Sequence, residues 1–444
     1  MIVRLKMILY VPLAITIFFF GDLSAEELSF LEVFEEASGS APELALARYT
    51  LEGADARRLE ARSKLLPQVN LFGQWSRNEL SYSSELSLPD VRYPGRRFGL
   101  QLKQSLMNDA DRSELKRQEL LFRQSREELT ITEAQLFGSL TNAYLNILLG
   151  DMSVGQLRLE LDALNKQLDE TRAFFEKKLI PLTDVLETEA RRDAVLADIV
   201  WAKGDAAVAR EELWGLSGLV GVEPIAVNTD IALMSMFESP EAAATVAVNR
   251  SASVASARLA VSAAKKAVDR ERGTWFPEID LIYSYQVSDV GFDNLAAPSR
   301  DTSTLAIGVN YPIFEGFAGK ARLKGVWAEY FAAKTRLTAV ERESSAAART
   351  AWVRLSAAVE RLNAAKKSVA SSATNLDAAK KAVSFGTGKV SDVLIALSQS
   401  SSANRELAAA KFGYVNAWVE LELSTGARPS VLASKLSAAL HDNP

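Results

Sequence analysis

Apolar residues recur at helical spacing through the N-terminal part of the chain as far as Leu66, and then the period changes. Past Pro67, Val69, Leu71, Gly73 and Trp75 fall on one side of an extended chain. Gln68, Asn70, Gln74 and Ser76 fall on the other, with Phe72 the apolar exception among them. Alternation of this kind predicts a β-strand with one apolar face. Three further segments repeat it. Phe98, Leu100 and Leu102 alternate with Gly99, Gln101 and Lys103. Ile279, Leu281, Tyr283 and Tyr285 alternate with Glu278, Asp280, Ile282 and Ser284. Leu305, Ile307, Val309 and Tyr311 alternate with Ala306, Gly308 and Asn310. Four strands are therefore predicted, near 67–80, 96–106, 277–288 and 303–313. Each pair is joined by a segment rich in Ser, Asp, Pro and Gly, at 79–95 and 287–303, which predicts a surface loop.

Between the strand pairs the period is helical over long distances. Proline is absent from about 107 to 177 and again from about 317 to 385. Some seventy helical residues make a rod on the order of 100 Å, with Gly150 and Gly155 as candidate bends in the first. Leu157, Leu161, Leu164 and Leu168 form a coiled-coil seam. In the second half, alanine and serine replace many such leucines. The rods end in turns. Pro181 suits the first turn of a new helix, and Gly386 and Gly388 suit a tight reversal. Thr183–Asp184 and Ser391–Asp392 place hydroxyl and carboxylate groups where they cap helix starts.

The two halves resemble each other. Pro67, in "LLPQVNL", matches Pro277, in "WFPEIDL", an offset of 277 − 67 = 210. Asp184, in "LTDVL", matches Asp392, in "VSDVL", an offset of 392 − 184 = 208, and Gly218 matches Gly426 by the same 208. An internal repeat organises the chain as a signal segment at 1–25, a first repeat at 26–235 with its hairpin tip near 178–184, a second repeat at 236–426 with its tip near 386–392, and a C-terminal tail at 427–444.

Composition narrows the class. A net charge of −5 with no long basic run argues against nucleic acid as a partner. The absence of cysteine excludes disulfides, thiol nucleophiles and a lipidated N-terminal cysteine. The single histidine, His441, lies in the tail and precludes a multi-histidine metal site. No cofactor is called for, and no nucleophile–base spacing or phosphate-binding loop after a strand is present; "GTGKVSD" at 386–392 is better explained as a hairpin turn. Arg4, Lys6, the apolar run 7–20 and a small residue at Ala25 read as an export signal, with an uncleaved anchor as the alternative.

Export gives the alternating strands two readings: membrane strands with apolar residues outward, or a half-buried sheet of a soluble periplasmic or surface coiled-coil protein. In the first, Val69, Leu71, Trp75, Leu100, Leu102, Ile279, Leu281, Tyr283, Tyr285, Ile307, Val309 and Tyr311 face lipid, with Trp75, Tyr285 and Tyr311 at its boundary. Lys103, Glu278 and Asp280 lie on the other, wetter face. Four strands cannot close a barrel, and an open edge cannot face lipid, so protomers must share one.

Together, the duplicated helix–"LLPQVNL"/"WFPEIDL" junctions, the "GVNYPIFEGF" passage at 308–317 and the paired "TDVL"/"SDVL" turns resemble the TolC-like outer-membrane efflux proteins of Gram-negative bacteria over about residues 27–426. The resemblance implies a mainly α protein whose protomers each give four strands to a shared twelve-stranded barrel, continued by an α-helical coiled-coil barrel. It implies a homotrimer in outer-membrane lipid, acting as the exit duct of a tripartite efflux or type I secretion system. It implies docking with a periplasmic adaptor and an inner-membrane pump of RND or ABC type. It places Asp392 at a periplasmic pore constriction. The second acidic position of that constriction is Ile395 here, and the positions of a closing tyrosine and arginine are Val383 and Gly388. A ring of close carboxylates would be sensitive to pH. Lys177, Lys178, Leu179, Leu182, Gly386, Gly388 and Lys389 are candidate adaptor-docking tip residues, with a solvated hairpin end as the alternative.

Overall fold

The structure is a computed structural model that describes residues 27–81, 91–225, 233, 237–290 and 296–441. The export segment 1–25 lies outside these residues, as do the centres of the two connecting segments, 82–90 and 291–295. In chain order the elements are β1 (Glu27–Leu28), α1 (Phe30–Ser40), α2 (Pro42–Ser63), β2 (Gln68–Leu80), β3 (Val91–Met107), α3 (Asp109–Glu176), α4 (Leu182–Ser217), β4 (Glu223–Pro224), α5 (Pro240–Arg250), α6 (Ala252–Gly273), β5 (Glu278–Val290), β6 (Ala296–Asn310), α7 (Ala318–Ser384), α8 (Val390–Ser424) and α9 (Pro429–His441). The protein is mainly helical.

The helix before each strand pair is two helices, where the sequence reads as one. Ser29 opens α1 with a capping box to Glu32. Ala41 then turns extended (ψ 123°) because the following Pro42 disfavours helical backbone before it. The second half breaks at Ser251. The long rods are as expected. α3 has 68 residues and α7 has 67, each about 100 Å at 1.5 Å per residue. α3 runs unbroken through Gly150 and Gly155. Gly150 serves close packing instead: a Cβ there would lie 2.8 Å from the Cβ of Ala206 on α4.

The main core lies midway along the chain's helices. Phe30 and Phe34 of α1 meet Phe137 of α3 edge-to-face, and Phe30 meets Tyr144. Leu140, Ile147, Leu213, Val415, Trp418 and Leu421 pack around them. Residues read from sequence as a tail include α9, whose Leu432, Ala433, Leu436 and Leu440 are buried in this core. Their spacing of one, three and four residues makes one apolar stripe, which sequesters the helix from water. β1 and β4 add a two-residue parallel pair that alternation is too short to reveal. A smaller cluster toward the hairpin tips gathers Leu157 and Leu164 of α3, Val195 and Ile199 of α4, and Val390, Leu394 and Leu397 of α8, with Leu161 packed against it. Leu168 is also buried, so the leucine seam is a packing seam.

The larger sheet has the order β2-β3-β5-β6, all antiparallel. β3 begins five residues earlier than alternation predicts, because an Arg-rich stretch with little apolar content still pairs with β2. Arg92 there bonds Glu79 across the pair at 2.5 Å. β6 begins at Ala296 rather than 303 and stops at Asn310, short of Pro312. Asp301 accepts a hydrogen bond from Tyr285 across that added length.

Candidate functional site

Strand register decides which side chains share a face. Val69 pairs with Leu102, Leu71 with Leu100, Leu100 in turn with Tyr285, and Leu102 with Tyr283. Ile279 pairs with Val309 and Leu281 with Ile307. Trp75 lies on the same face and meets Phe98 edge-to-face at 4.8 Å. Every strand residue expected to face lipid therefore sits on a single continuous face, with Tyr311 directly after β6. Leu71 is 83% exposed within the protomer. Trp75 is the eighth of thirteen residues in β2, mid-strand rather than at an end. Arg96, opposite Trp75, also lies on this face and bonds Asp289 at 3.0 Å.

The opposite face carries Gln68, Asn70, Gln74, Gln101, Lys103, Asp280, Ser284, Gln286 and Thr304. Lys103 bonds Asp280 at 2.7 Å and lies 3.9 Å from Glu278, so the predicted wet-face charges are brought together. Phe72 is explained by its partner. It pairs with Gly99, and a Cβ on Gly99 would fall 2.5 Å from the Phe72 ring. The ring fills the space a missing side chain leaves on the neighbouring strand.

A group the alternation did not single out lies where strands meet rods. Trp275, Phe276, Ile313, Phe314 and Phe317 are all exposed, beside Lys320. Gly316 and Phe317 both have left-handed backbone (φ 59° and 67°), which sets Phe317 edge-to-face against Phe314 at 5.6 Å. The signal was present in "TWFPE" and "YPIFEGF", as aromatics outside any period.

At the first hairpin tip, α3 closes with Lys178 N–H donating to Phe175 O (2.8 Å) and Leu179 N–H to Phe174 O (2.9 Å). Lys178 is left-handed, φ 59°, which costs a residue with a Cβ about 1 kcal/mol. Pro181 is the residue before α4 rather than in its first turn. Lys177, Lys178, Leu179 and Leu182 are all exposed, Leu179 at 66%. At the second tip, Gly386 takes the equivalent left-handed position, φ 74°. Gly388 permits the close return: its Cβ would sit 2.9 Å from that of Ala382. Lys389 precedes α8, and its N–H donates to the Asp392 carboxylate at 3.3 Å. Asp392 thus caps its own helix while remaining exposed at the tip. Thr183 and Ser391 make no side-chain cap of α4 or α8. Val383 and Ile395 flank the tip. No group of His, Asp and Glu side chains able to hold a metal occurs among the described residues, and none of their helices is long and apolar enough to cross a membrane.

The family model for outer membrane efflux proteins matches residues 33–219 and 244–427, and the chain belongs to that family. It is 26% identical over 422 residues to the outer membrane protein TolC of Escherichia coli (strain K12), covering 93% of this chain and 84% of that protein. It is 25% identical over 424 residues to the alkaline protease secretion protein AprF of Pseudomonas aeruginosa, covering 90% and 84%. The crystal structure of the outer membrane protein VceC from Vibrio cholerae superimposes with a TM-score of 0.78 at 18% identity, over 90% of this chain and 96% of that one.

Proposed function

We propose that three copies of this chain close one twelve-stranded barrel, four strands from each, with the apolar face outward, continued by a coiled-coil barrel of α3, α4, α7 and α8 across the periplasm. The protein is an outer-membrane channel of a Gram-negative bacterium, the exit duct of an efflux or secretion system. Its work is passage rather than catalysis. The observation that carries the assembly is the sheet's two open edges. Among the described residues, β2 pairs only with β3, and β6 only with β5. In lipid, unpaired backbone groups cost several kcal/mol each, so β6 of one copy must meet β2 of the next. Two copies would give eight strands and a filled interior, while three give twelve and a lumen. The recurring order of helix, strand pair and helical hairpin supports two structural repeats, 26–235 and 236–426.

In this assembly the hairpin tips form the periplasmic entrance. Asp392 contributes one carboxylate per copy to its constriction, beside its capping bond. The exposed Lys177, Lys178, Leu179 and Leu182, with Gly386, Gly388 and Lys389, offer a mixed basic and apolar surface to a periplasmic adaptor, and through it to an inner-membrane pump. Light scattering on detergent-solubilised protein tests the count. A heat-modifiable particle of three chains is expected, with cysteines placed on β2 and β6 of this cysteine-free chain cross-linking between copies. A soluble monomer after export would sink the reading in favour of a periplasmic coiled-coil protein.

A further inference from the structure

Arg96 and Arg97 are adjacent on β3 but lie on opposite faces of the sheet. On the apolar face the arginines are paired: Arg96 bonds Asp289 at 3.0 Å, and Arg92 bonds Glu79. On the polar face Arg97 stands opposite Ser288 of β5, and Ser288 stands opposite Arg300 of β6. Two arginines therefore flank one serine across three neighbouring strands. Their Cα atoms are two strand spacings apart, about 10 Å. Two long side chains can close that gap on a single anion. Ser288 is buried, and its hydroxyl is engaged with its own strand, donating to Val290 O and accepting from Val290 N–H at 3.2 Å each. Neither Arg97 nor Arg300 has an ion pair or a side-chain hydrogen bond among the described residues, and the Nε of Arg97 is buried without an acceptor. A buried donor left unmade is costly, so such a group calls for a partner.

Charge also divides the polar face along its length. Lys103, Glu278 and Asp280 lie at the end nearest the rods. Beyond Asp280 no acidic residue shares this face among the described strand residues, because Glu79, Asp289 and Asp301 all fall on the apolar one. Arg97 is 107 − 97 = 10 residues from the rod end of β3, and Arg300 is 310 − 300 = 10 from that of β6. Ten steps of about 3.3 Å at a tilt of about 40° rise roughly 25 Å, the height of the apolar band of such a barrel. The pair thus sits at the outer end of the lumen. A guanidinium fork takes carboxylate or phosphate oxygens two at a time.

We infer that Arg97 and Arg300 form an oxyanion site at the outer end of the lumen, repeated in each copy, which takes carboxylate or phosphate groups. The inference rests on the duct reading and gives the exit a charge preference opposite to that of the Asp392 entrance. The test is single-channel recording of purified trimers in planar bilayers, with tripolyphosphate added to the outer side. Current block is expected, and Arg97→Gln and Arg300→Gln should each raise the half-blocking concentration about tenfold. Arg96→Gln, one residue away on the lipid face, should leave the block unchanged. A hexaglutamate peptide, added separately, distinguishes the sources: block by both probes supports a site that also takes carboxylates carried on a chain, and block by tripolyphosphate alone supports a site for free phosphates. If Arg97→Gln fails to assemble, Arg300→Gln decides, since Arg300 is exposed. Channels that neither probe blocks, or a block unchanged in both variants, overturn the site and leave the duct standing, as does an equal loss in Arg96→Gln. A wild-type protein that forms no channel overturns the duct reading and the site together.

Discussion

Replacing Leu71 by arginine separates a membrane strand from a soluble one, because within the protomer almost nothing touches Leu71. It is 83% exposed, so substitution removes little protein packing. If its surroundings were water, the change would cost within about 0.5 kcal/mol. Against lipid the cost follows depth: about 2–4 kcal/mol for arginine at the bilayer midplane, falling to about 0–1 at the interfaces. Leu71 is the fourth residue of β2. Three steps of about 3.3 Å along a strand tilted about 40° place it roughly 8 Å above the strand start. The apolar band of such barrels is about 25 Å tall, so Leu71 lies well over halfway from its edge to the midplane. That gives about 2 kcal/mol for each copy and about 6 kcal/mol for a trimer. The control is one residue away. Asn70 pairs with Gln101 on the opposite face, where arginine would meet the water-filled lumen and cost about 0–1 kcal/mol. The assay is the urea midpoint for loss of the heat-modifiable oligomer in lipid vesicles. The Leu71→Arg midpoint should fall well below that of Asn70→Arg. Equal midpoints for the two neighbours would refute both the face assignment and the membrane argument built on it.

Asp392→Asn should weaken cation preference and cation block in single-channel recordings while leaving the trimer intact; unchanged selectivity would confine Asp392 to capping α8. Lys178→Gly removes a left-handed residue that carries a Cβ, and should slow hydrogen exchange at the first tip by roughly threefold, against a cost of about 1 kcal/mol for the native conformation. The same variant should bind a cognate adaptor more weakly if the lysine docks it. Glu422 is buried, and burial pushes its carboxyl above the usual range, opposed by Lys435. A raised carboxyl favours the fold fully below its unfolded value, and that contribution is lost as pH rises through the folded value. Glu422→Gln should therefore raise the melting temperature at pH 7.5 and leave it unchanged near about pH 4; the reverse order would show that the carboxylate itself is stabilising.

The parts of this architecture that were legible in sequence are those with one strong period. Four strand faces followed from alternation, the leucine seam from heptads, and the tips from Pro181, Gly386 and Gly388. The parts that were not have local causes. The extension of β3 is written in "VRYPGRR", where arginine and proline hide alternation and pairing with β2 decides the conformation. The break at Ala41 depends on Pro42 in an otherwise continuous helical pattern. α9 carried a readable stripe, Leu432 to Leu440, yet its short length and polar surroundings made it look like a tail. Phe72 was inexplicable alone, because its reason is Gly99 on another strand. Glu160 is a charge at core spacing, three residues after Leu157 and four before Leu164, and its partners Arg191 and Arg405 come from other helices, which periodicity along α3 does not show.

The halves repeat in order but not in substance. α3 buries Leu136, Leu140, Leu145, Leu148, Leu157, Leu164 and Leu168, whereas α7 buries Gly319, Ala348, Ala351, Leu355 and Ala365 and nothing after them. Each alanine in place of leucine forgoes three carbons of burial, about 2 kcal/mol at about 0.8 kcal/mol per methylene. The last nineteen residues of α7, from 366 to 384, bury no side chain fully, although Leu376 packs partly buried against the small tip-side cluster. α8 in turn meets the first hairpin there through Val390, Leu394 and Leu397 and through the ties of Arg405 and Ser398. The physical division follows: the first hairpin carries leucine packing along its length, and the second joins it toward the tips through α8 and the partly buried Leu376.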